Sequence, residues 1–360
     1  MKSSQLETGD ILINITGASI GRTCLFSLES GSANINQHIA FLRTKFWINE
    51  FYISLFLKSH FIKNYIEIEQ NGASKEAFNL SQIANIPLVL PSQLEQKSIA
   101  NYLDTKTAQC DRKIDLLTQK ATQYGKLKQS LINETVTRGL DKSVTMKDSG
   151  VEWISRIPKH WEIKRIKDIG LVVLGKMLDS TGSDDKFYRY YLKSKNIGWL
   201  NVDTSNVEQM YFSSAEMKYC RIKRNDLLLS EGGEVGKTSI WKEEIDECYI
   251  QNSVQKITLH KENYSRYFLY QSFLLGNIKY YDSIVNHVSI KHLTKEKLSR
   301  VVWVCPPLSE QKAIADYLDT KTAQIDQIIQ TINTQIEKLK ELRKTLINDV
   351  VTGKIKVIDN

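Results

Sequence analysis

The sequence predicts an α+β fold: two mixed α/β domains, the first partial, separated by two long helices forming an antiparallel coiled coil. Three observations predict it. Residues 95–111 (EQKSIANYLDTKTAQCD) and 310–326 (EQKAIADYLDTKTAQID) lie 215 positions apart and agree at 14 of 17 places. Each copy opens a proline-free stretch, after Pro91 and after Pro307, whose apolar residues recur at spacings of three and four, as in a helix with one apolar seam. Ahead of each stretch, short β-branched and aromatic runs alternate with glycine turns, as strands do. The period far exceeds the roughly 20–50 residues of a solenoid repeat, so the duplicated unit is a whole domain with its helix.

In chain order, DILINIT (10–16), CLFSL (24–28) and HIAFLR (38–43) read as strands, and FYISLFLKSHFIKNYI (51–66) as apolar helix. DLLLS (226–230), KTSIWK (237–242) and VQKITL (254–259) repeat the strands, and YSRYFLYQSFLLGNIKYY (264–281) the helix. IPLVLPSQLEQ (86–96) aligns with VVWVCPPLSEQ (301–311), and Asn71 falls on Asn286. The long helices should each run about 35–40 residues, or about 55–60 Å. Ile114, Leu117, Ala121, Tyr124, Leu127 and Leu131 form the first stripe. Ile329, Ile332, Ile336, Leu339, Leu342 and Leu346 hold the matching places of the second copy, with Ile325 ahead of them. Two equal stripes in one chain suit each other as partners. Gly125 interrupts the first helix where the second has Lys340, at a cost of about 1 kcal/mol.

GDILINITGASIGRT (9–23) resembles NDLLLSEGGEVGKT (225–238) with one residue gapped, so Met1 corresponds to about Glu216 and residues 146–215 have no counterpart in the first copy. The expected organisation is a partial domain over 1–92, a helix and linker over 93–145, a complete domain over 146–305 and a second helix over 306–360.

Composition narrows the function. The chain has 360 residues, a net charge of +8 and a pI near 9.0, which favours a polyanionic partner. No apolar run approaches the roughly 20 residues of a membrane span, and MKSSQLETGDILI lacks a signal-peptide layout, so a cytoplasmic location is expected. Five scattered cysteines (Cys24, Cys110, Cys220, Cys248, Cys305) suit neither a disulfide framework nor a zinc site.

Catalytic motifs are missing. GGEVGKTS (232–239) looks like a phosphate loop, but the earlier glycine that such a loop needs is Glu231, and the matching place in the first copy is Thr16. A glycine hairpin turn fits better, with Lys237 and Arg22 as phosphate contacts because both copies place a cation there. His160, His260, His287 and His292 lack HExxH spacing. There is no GxSxG elbow, no NPPY-like methyltransferase tetrapeptide and no helicase motif. The residues read as a binding protein.

GVEWISRIPKHWEIKRIKDIG (150–170) resembles the opening of a target recognition domain in the DNA-specificity subunits of type I restriction–modification systems. The GDILI…TGASIGRT hairpin with the later NINQH, the IPLVLPSQLEQ approach and EQKxIAxYLDxKTAxxD opening a long helix fit the same family in the same order. The resemblance implies two target recognition domains, each reading half of a bipartite double-stranded DNA site, held apart by the helices. It implies two modification (methyltransferase) subunits and restriction/translocase subunits as partners, with S-adenosylmethionine, ATP and Mg bound by them and no cofactor or metal bound by this chain. Lys186, Arg189, Lys193, Lys195, Asn196, Lys237, Asn252, His287 and Lys291, with Arg22 of the first copy, form the expected DNA face.

Against the family's pattern, the first domain has no partner for 146–215. A truncated frame, one segment of a split locus, or supply of the missing half by another polypeptide would each account for it; the first two would leave one half-site read. Two rival classes remain. A nuclease or methyltransferase on a helical arm would methylate or cut DNA alone, whereas a non-DNA coiled-coil scaffold would show no salt-sensitive duplex binding.

Overall fold

The computed structural model describes residues 4–70, 77–285 and 292–357. The chain forms two compact units, Met1–Thr122 with Ile328–Asn360, and Gln123–Gln327. The long helices are therefore not modules of their own, as the expected boundaries had them: each is divided between the units, because its ends are built into domain cores.

Unit one comprises β1 (Ile11–Asn14), β2 (Thr23–Leu25), β3 (Ile39–Leu42), α1 (Glu50–Phe56), α2 (His60–Gln70), α3 (Leu80–Ala84) and the first part of α4 (Gln93–Arg138). Its antiparallel sheet has the order β2-β1-β3. Ile11 and Ile13 turn inward from β1 onto Tyr52, Phe56 and Ile62. Ile99, Ala100 and Leu103 from early α4 complete this core, together with Ile347, Val350 and Val351 near the chain's end.

Unit two begins with the last turns of α4 and continues through β4 (Met146–Val151), β5 (Ile154–Pro158), β6 (Glu162–Arg165), α5 (Ile166–Ile169), β7 (Gly170–Leu174), β8 (Lys186–Leu192), β9 (Glu208–Ser213) and α6 (Ser214–Cys220). There follow β10 (Leu227–Ser230), β11 (Thr238–Ile240), β12 (Tyr249–Ile250), β13 (Val254–Leu259), α7 (Ser265–Asn277), α8 (Tyr280–Ile284), α9 (Lys295–Arg300), β14 (Val302–Cys305) and α10 (Leu308–Val351), whose later part belongs to unit one. The main sheet runs β11-β10-β13-β7, with a second sheet β12-β8-β9 and the pairs β14-β6 and β4-β5. Ile132 and Val136 of α4 and Ile314, Ala315 and Leu318 of α10 are part of its core.

The repeat is structural as well as sequential. The β10–β11 hairpin, β13, α7, α9 and α10 follow β1–β2, β3, α1, α3 and α4 at the offset of the sequence repeat. The shared EQK glutamine explains part of the identity. Gln96 is buried; its Nε2 donates to Pro91 O (2.9 Å) and its Oε1 accepts from Asn49 N–H (2.9 Å). Gln311 repeats both bonds with Pro306 O (2.9 Å) and Tyr264 N–H (2.7 Å). Each bond satisfies a backbone group where a helix begins. Asn79 caps α3 through Gln82 N–H and Thr294 caps α9 through Lys297 N–H. At the other end, Tyr52 OH donates to Val89 O (2.6 Å) and lies 3.4 Å from Val351 O, while Tyr267 OH donates to Val136 O (3.1 Å), so a buried phenol sits against the last turn of a long helix in each unit. Burial pushes the Tyr52 hydroxyl up to about 12.

The helices are longer than their stripes suggest, at 46 and 44 residues. They run antiparallel: Asp111 meets Arg343, and Lys128, later in α4, meets Asp326, earlier in α10. Ile332 and Ile336 are buried, while Ile114, Leu117, Tyr124, Leu131, Ile329, Leu339 and Leu346 are half-buried. Leu127 and Leu342 correct the stripe: they are 52% and 56% exposed. A straight helix drifts about 20° per heptad from a 3.5-residue seam, which turns these leucines outward and brings their neighbours Lys128 and Arg343 to the seam.

Candidate nucleic-acid interface

Half of the sequence-derived DNA face lies on β8 and the turn after it. KFYRYYL suits a strand because aromatic side chains pack on a pleated surface. It pairs with β9 from Lys186↔Ser213 to Tyr191↔Glu208, and in parallel with β12. Tyr188 and its register partner Tyr211 have ring centroids 4.9 Å apart. Phe187, Tyr188 and Tyr190 are exposed.

The cations of this stretch already have local partners. Lys186 Nζ is 2.8 Å from Asp179 Oδ2, and that hydrogen bond is the main cause of the Asp179 carboxyl titrating at about 2. Lys193 Nζ (2.5 Å) and Lys195 Nζ (3.3 Å) share Glu208 Oε1. Lys193, then the Tyr191 hydroxyl and Lys195, hold Glu208 at about 2. Arg189 Nε is 3.2 Å from Glu247, with its guanidinium over the Phe187 ring at 5.3 Å. A phosphate would have to displace these carboxylates.

Asn196 is a correction. It is 3% exposed, its Nδ2 donates to Asp203 O and Asn206 O, and its Oδ1 accepts from Lys193 N–H. A side chain whose hydrogen bonds are all used to shape its own turn cannot read a base edge. Asn252 accepts at Oδ1 from the Gln251 amide. His287 and Lys291 lie outside the described residues, as do Asn71 and Asn286.

Lys237 and Arg22 stand at matching hairpins, as the alignment required. Gly236 (φ 85°) and Gly21 (φ 77°) hold these turns, which lead into strands rather than helices, so the segment is the hairpin turn expected. Lys237 forms an ion pair with Glu234. Among the described residues Arg22 has no such acid partner. It instead lines a cleft of about 700 Å³ with Lys58, Lys63, Glu67, Arg343 and Lys344. Burial, then the charge of Arg343, pushes the Lys58 ammonium below its usual value. Five cations line the cleft with one carboxylate; Arg343 is also paired with Asp111 and Lys344 lies 4.0 Å from Glu341, which leaves Arg22, Lys58 and Lys63 to favour a phosphate-like anion. Sequence reasoning missed four of the five, since Lys58 and Lys63 stood within an apolar helix and Arg343 and Lys344 near the far end of the chain. In unit two the places of Lys58 and Lys63 are held by Phe273 and Ile278, and Phe273 packs edge-on against Trp199 at 5.6 Å. The basic cleft is thus particular to unit one.

Among the described residues no group of three or more His, Cys, Asp or Glu side chains is placed to hold a metal ion, and no helix is long and apolar enough to cross a membrane. The five cysteines are free thiols; burial pushes Cys248 and Cys305 up to about 12.

A family model described as type I restriction modification DNA specificity domain matches residues 2–123 and 158–338. The chain is 24% identical over 365 residues to the type I restriction enzyme MjaX specificity subunit of Methanocaldococcus jannaschii, covering 98% of this chain and 80% of that one. It is 31% identical over 130 residues to the EcoBI specificity subunit of Escherichia coli, covering 36% and 27%. Among solved structures, a chain from work on complex assembly and conformational transition of the type I R-M system aligns with a TM-score of 0.78 at 17% identity, covering 98% and 83%. The HsdS subunit from Thermoanaerobacter tengcongensis aligns at 0.59 and 18%, covering 97% and 82%.

Proposed function

The chain belongs to the type I restriction modification DNA specificity family, and from that premise we propose how it performs a specificity subunit's task of reading a bipartite DNA target. Each unit reads one part of the target, and the helices fix the distance between the parts, much as dimer geometry sets half-site spacing elsewhere. The observation that carries this reading is the repeated architecture: the same glutamine clamp, tyrosine pin and helix caps occur in both units.

In unit two the exposed aromatic strand and its paired cations face DNA; in unit one the basic cleft grips backbone phosphates. Phosphate contacts of this kind set register, and base edges read by polar side chains set sequence. We assign methylation, translocation and cleavage, with S-adenosylmethionine, ATP and Mg, to modification and restriction subunits docked on this chain.

Sequencing modified adenines in cells that express the chain with its modification subunits tests the reading. A bipartite motif is the expected result; a single contiguous half-site would show that only one unit reads. Inserting a heptad in each helix should lengthen the gap between half-sites and leave the bases unchanged.

A further inference from the structure

One face of the β8–β9 ribbon carries no unpaired charge. Register partners in an antiparallel pair share a face, so Lys186, Tyr188 and Tyr190 stand beside Ser213, Tyr211 and Gln209. The opposite face carries the buried Met210 and Phe212. β12 joins β8 only at Tyr191 and Leu192, so Lys186–Tyr190 and their partners form a two-stranded ribbon. A ribbon of that width enters the major groove of B-DNA.

The polar groups of this face divide into those already engaged and those that are free. Lys186 is held by Asp179, and Ser213 Oγ accepts from Glu216 N–H at the start of α6. The side-chain amide of Gln209 and the hydroxyls of Tyr188, Tyr190 and Tyr211 make no hydrogen bond among the described residues. Gln209 is half-buried and lies opposite the exposed Tyr190. On the next pair of the same face stand the Tyr188 and Tyr211 rings, 4.9 Å apart.

The face is held in place before any ligand arrives. Lys176 Nζ joins Asp179 Oδ2 (3.2 Å), Glu216 Oε2 (2.8 Å) and Tyr211 O (2.9 Å). Gly182 lies so close over Tyr211 that a Cβ there would sit 2.8 Å from its ring. The nearby acids that would repel DNA, Asp179 and Glu208, are each neutralised by lysines.

A free amide on a face without net charge suits a base edge rather than a phosphate, since phosphates are drawn to unpaired cations. In the major groove an amide is matched by adenine, which offers an acceptor at N7 and a donor at N6.

We propose that Gln209 is a base-reading residue of unit two. Its Nε2 donates to adenine N7 and its Oε1 accepts from N6–H, with Tyr188 and Tyr190 against the neighbouring groove edge. The inference rests on the reading of this strand as a face toward DNA, and names what that face reads.

The full chain carrying Gln209→Ala or Gln209→Glu, each with the modification subunits, tests it through the motif of modified adenines. Gln209→Ala should relax one A·T position of one half-site, with discrimination there falling roughly five- to 150-fold. A carboxylate can only accept, so Gln209→Glu should turn the same position toward cytosine, whose N4 amino group donates. Misfolding cannot create a new preference. The other bases and the gap should not change, and in Gln209→Ala the slope of duplex affinity against salt should stay as it was.

An unchanged motif in both variants would overturn the proposal, and a bipartite parent motif would still support the two-unit reading. Relaxation spread over every position, or a flattened salt slope in Gln209→Ala, would also overturn it, making Gln209 a backbone contact. A contiguous parent motif that still changes at one A·T position would support the proposal and overturn the two-unit reading.

Discussion

Arg343 Nε lies 3.0 Å from Asp111 Oδ1, and the internal repeat maps this ion pair onto Lys128 and Asp326, whose Nζ–Oδ2 distance is 2.7 Å. Cations at 128 and 343 and acids at 111 and 326 thus occupy matching places. The arrangement fixes helix direction, because a parallel pair would not bring either cation to its acid. Reversing Asp111 to Lys should cost about 0.2–1 kcal/mol, the usual range for solvent-exposed pairs, and adding Arg343→Asp should restore most of it. Urea unfolding of the single and double variants measures the coupling; strict additivity would show that the pair contributes nothing.

Gly236 and Gly21 occupy equivalent left-handed turns but differ in what a side chain would meet. A Cβ at Gly236 would sit 2.2 Å from the Tyr281 ring, whereas at Gly21 it would meet the flexible end of Ile66 at 2.7 Å. Backbone strain of about 1–3 kcal/mol applies to both, and only the first adds an overlap with a rigid buried ring. Gly236→Ala should therefore lower the melting temperature more than Gly21→Ala.

Gly125 is the opposite case. Nothing lies within 4 Å of its would-be Cβ, and α4 runs through it. Gly125→Ala should stabilise the chain by about 0.5–1 kcal/mol, read as a shift in the urea midpoint without a change in slope.

Gln311 makes both helix-start bonds while buried. Gln311→Ala leaves an N–H and a carbonyl without partners, at about 1–3 kcal/mol each, so marked destabilisation is expected. Gln96→Ala should do the same in unit one.

Glu208 and Asp179 titrate at about 2 when folded, below the usual ~4.3 and ~3.9. A depressed folded value stabilises above the unfolded value and ceases to as pH falls through the folded one. The melting-temperature gap between the chain and Glu208→Gln should thus be full at neutral pH and close between about pH 4 and 2. The same substitution releases Lys193 and Lys195, so duplex binding should become tighter and more salt-sensitive.

In unit one, Arg22→Ala with Lys63→Ala should weaken binding to all duplexes alike and flatten the salt dependence by about 1 per lost phosphate contact. Loss confined to one DNA sequence would mean base reading instead.

Much of this protein was legible in the sequence because the signals are local. Glycine turns, alternating strand residues and the three-four spacing of the helices depend on close neighbours along the chain, and the long repeat needs only comparison of the chain with itself. Tertiary structure decided what depends on distant residues. It turned Leu127 and Leu342 outward, buried Asn196 in its own turn, gave the repeated glutamine its purpose, and joined Lys58 to Arg343 in one cleft. It also divided each helix between two units. Periodicity shows that a residue faces something apolar, but only the folded chain determines which element it meets and whether its charge is already neutralised.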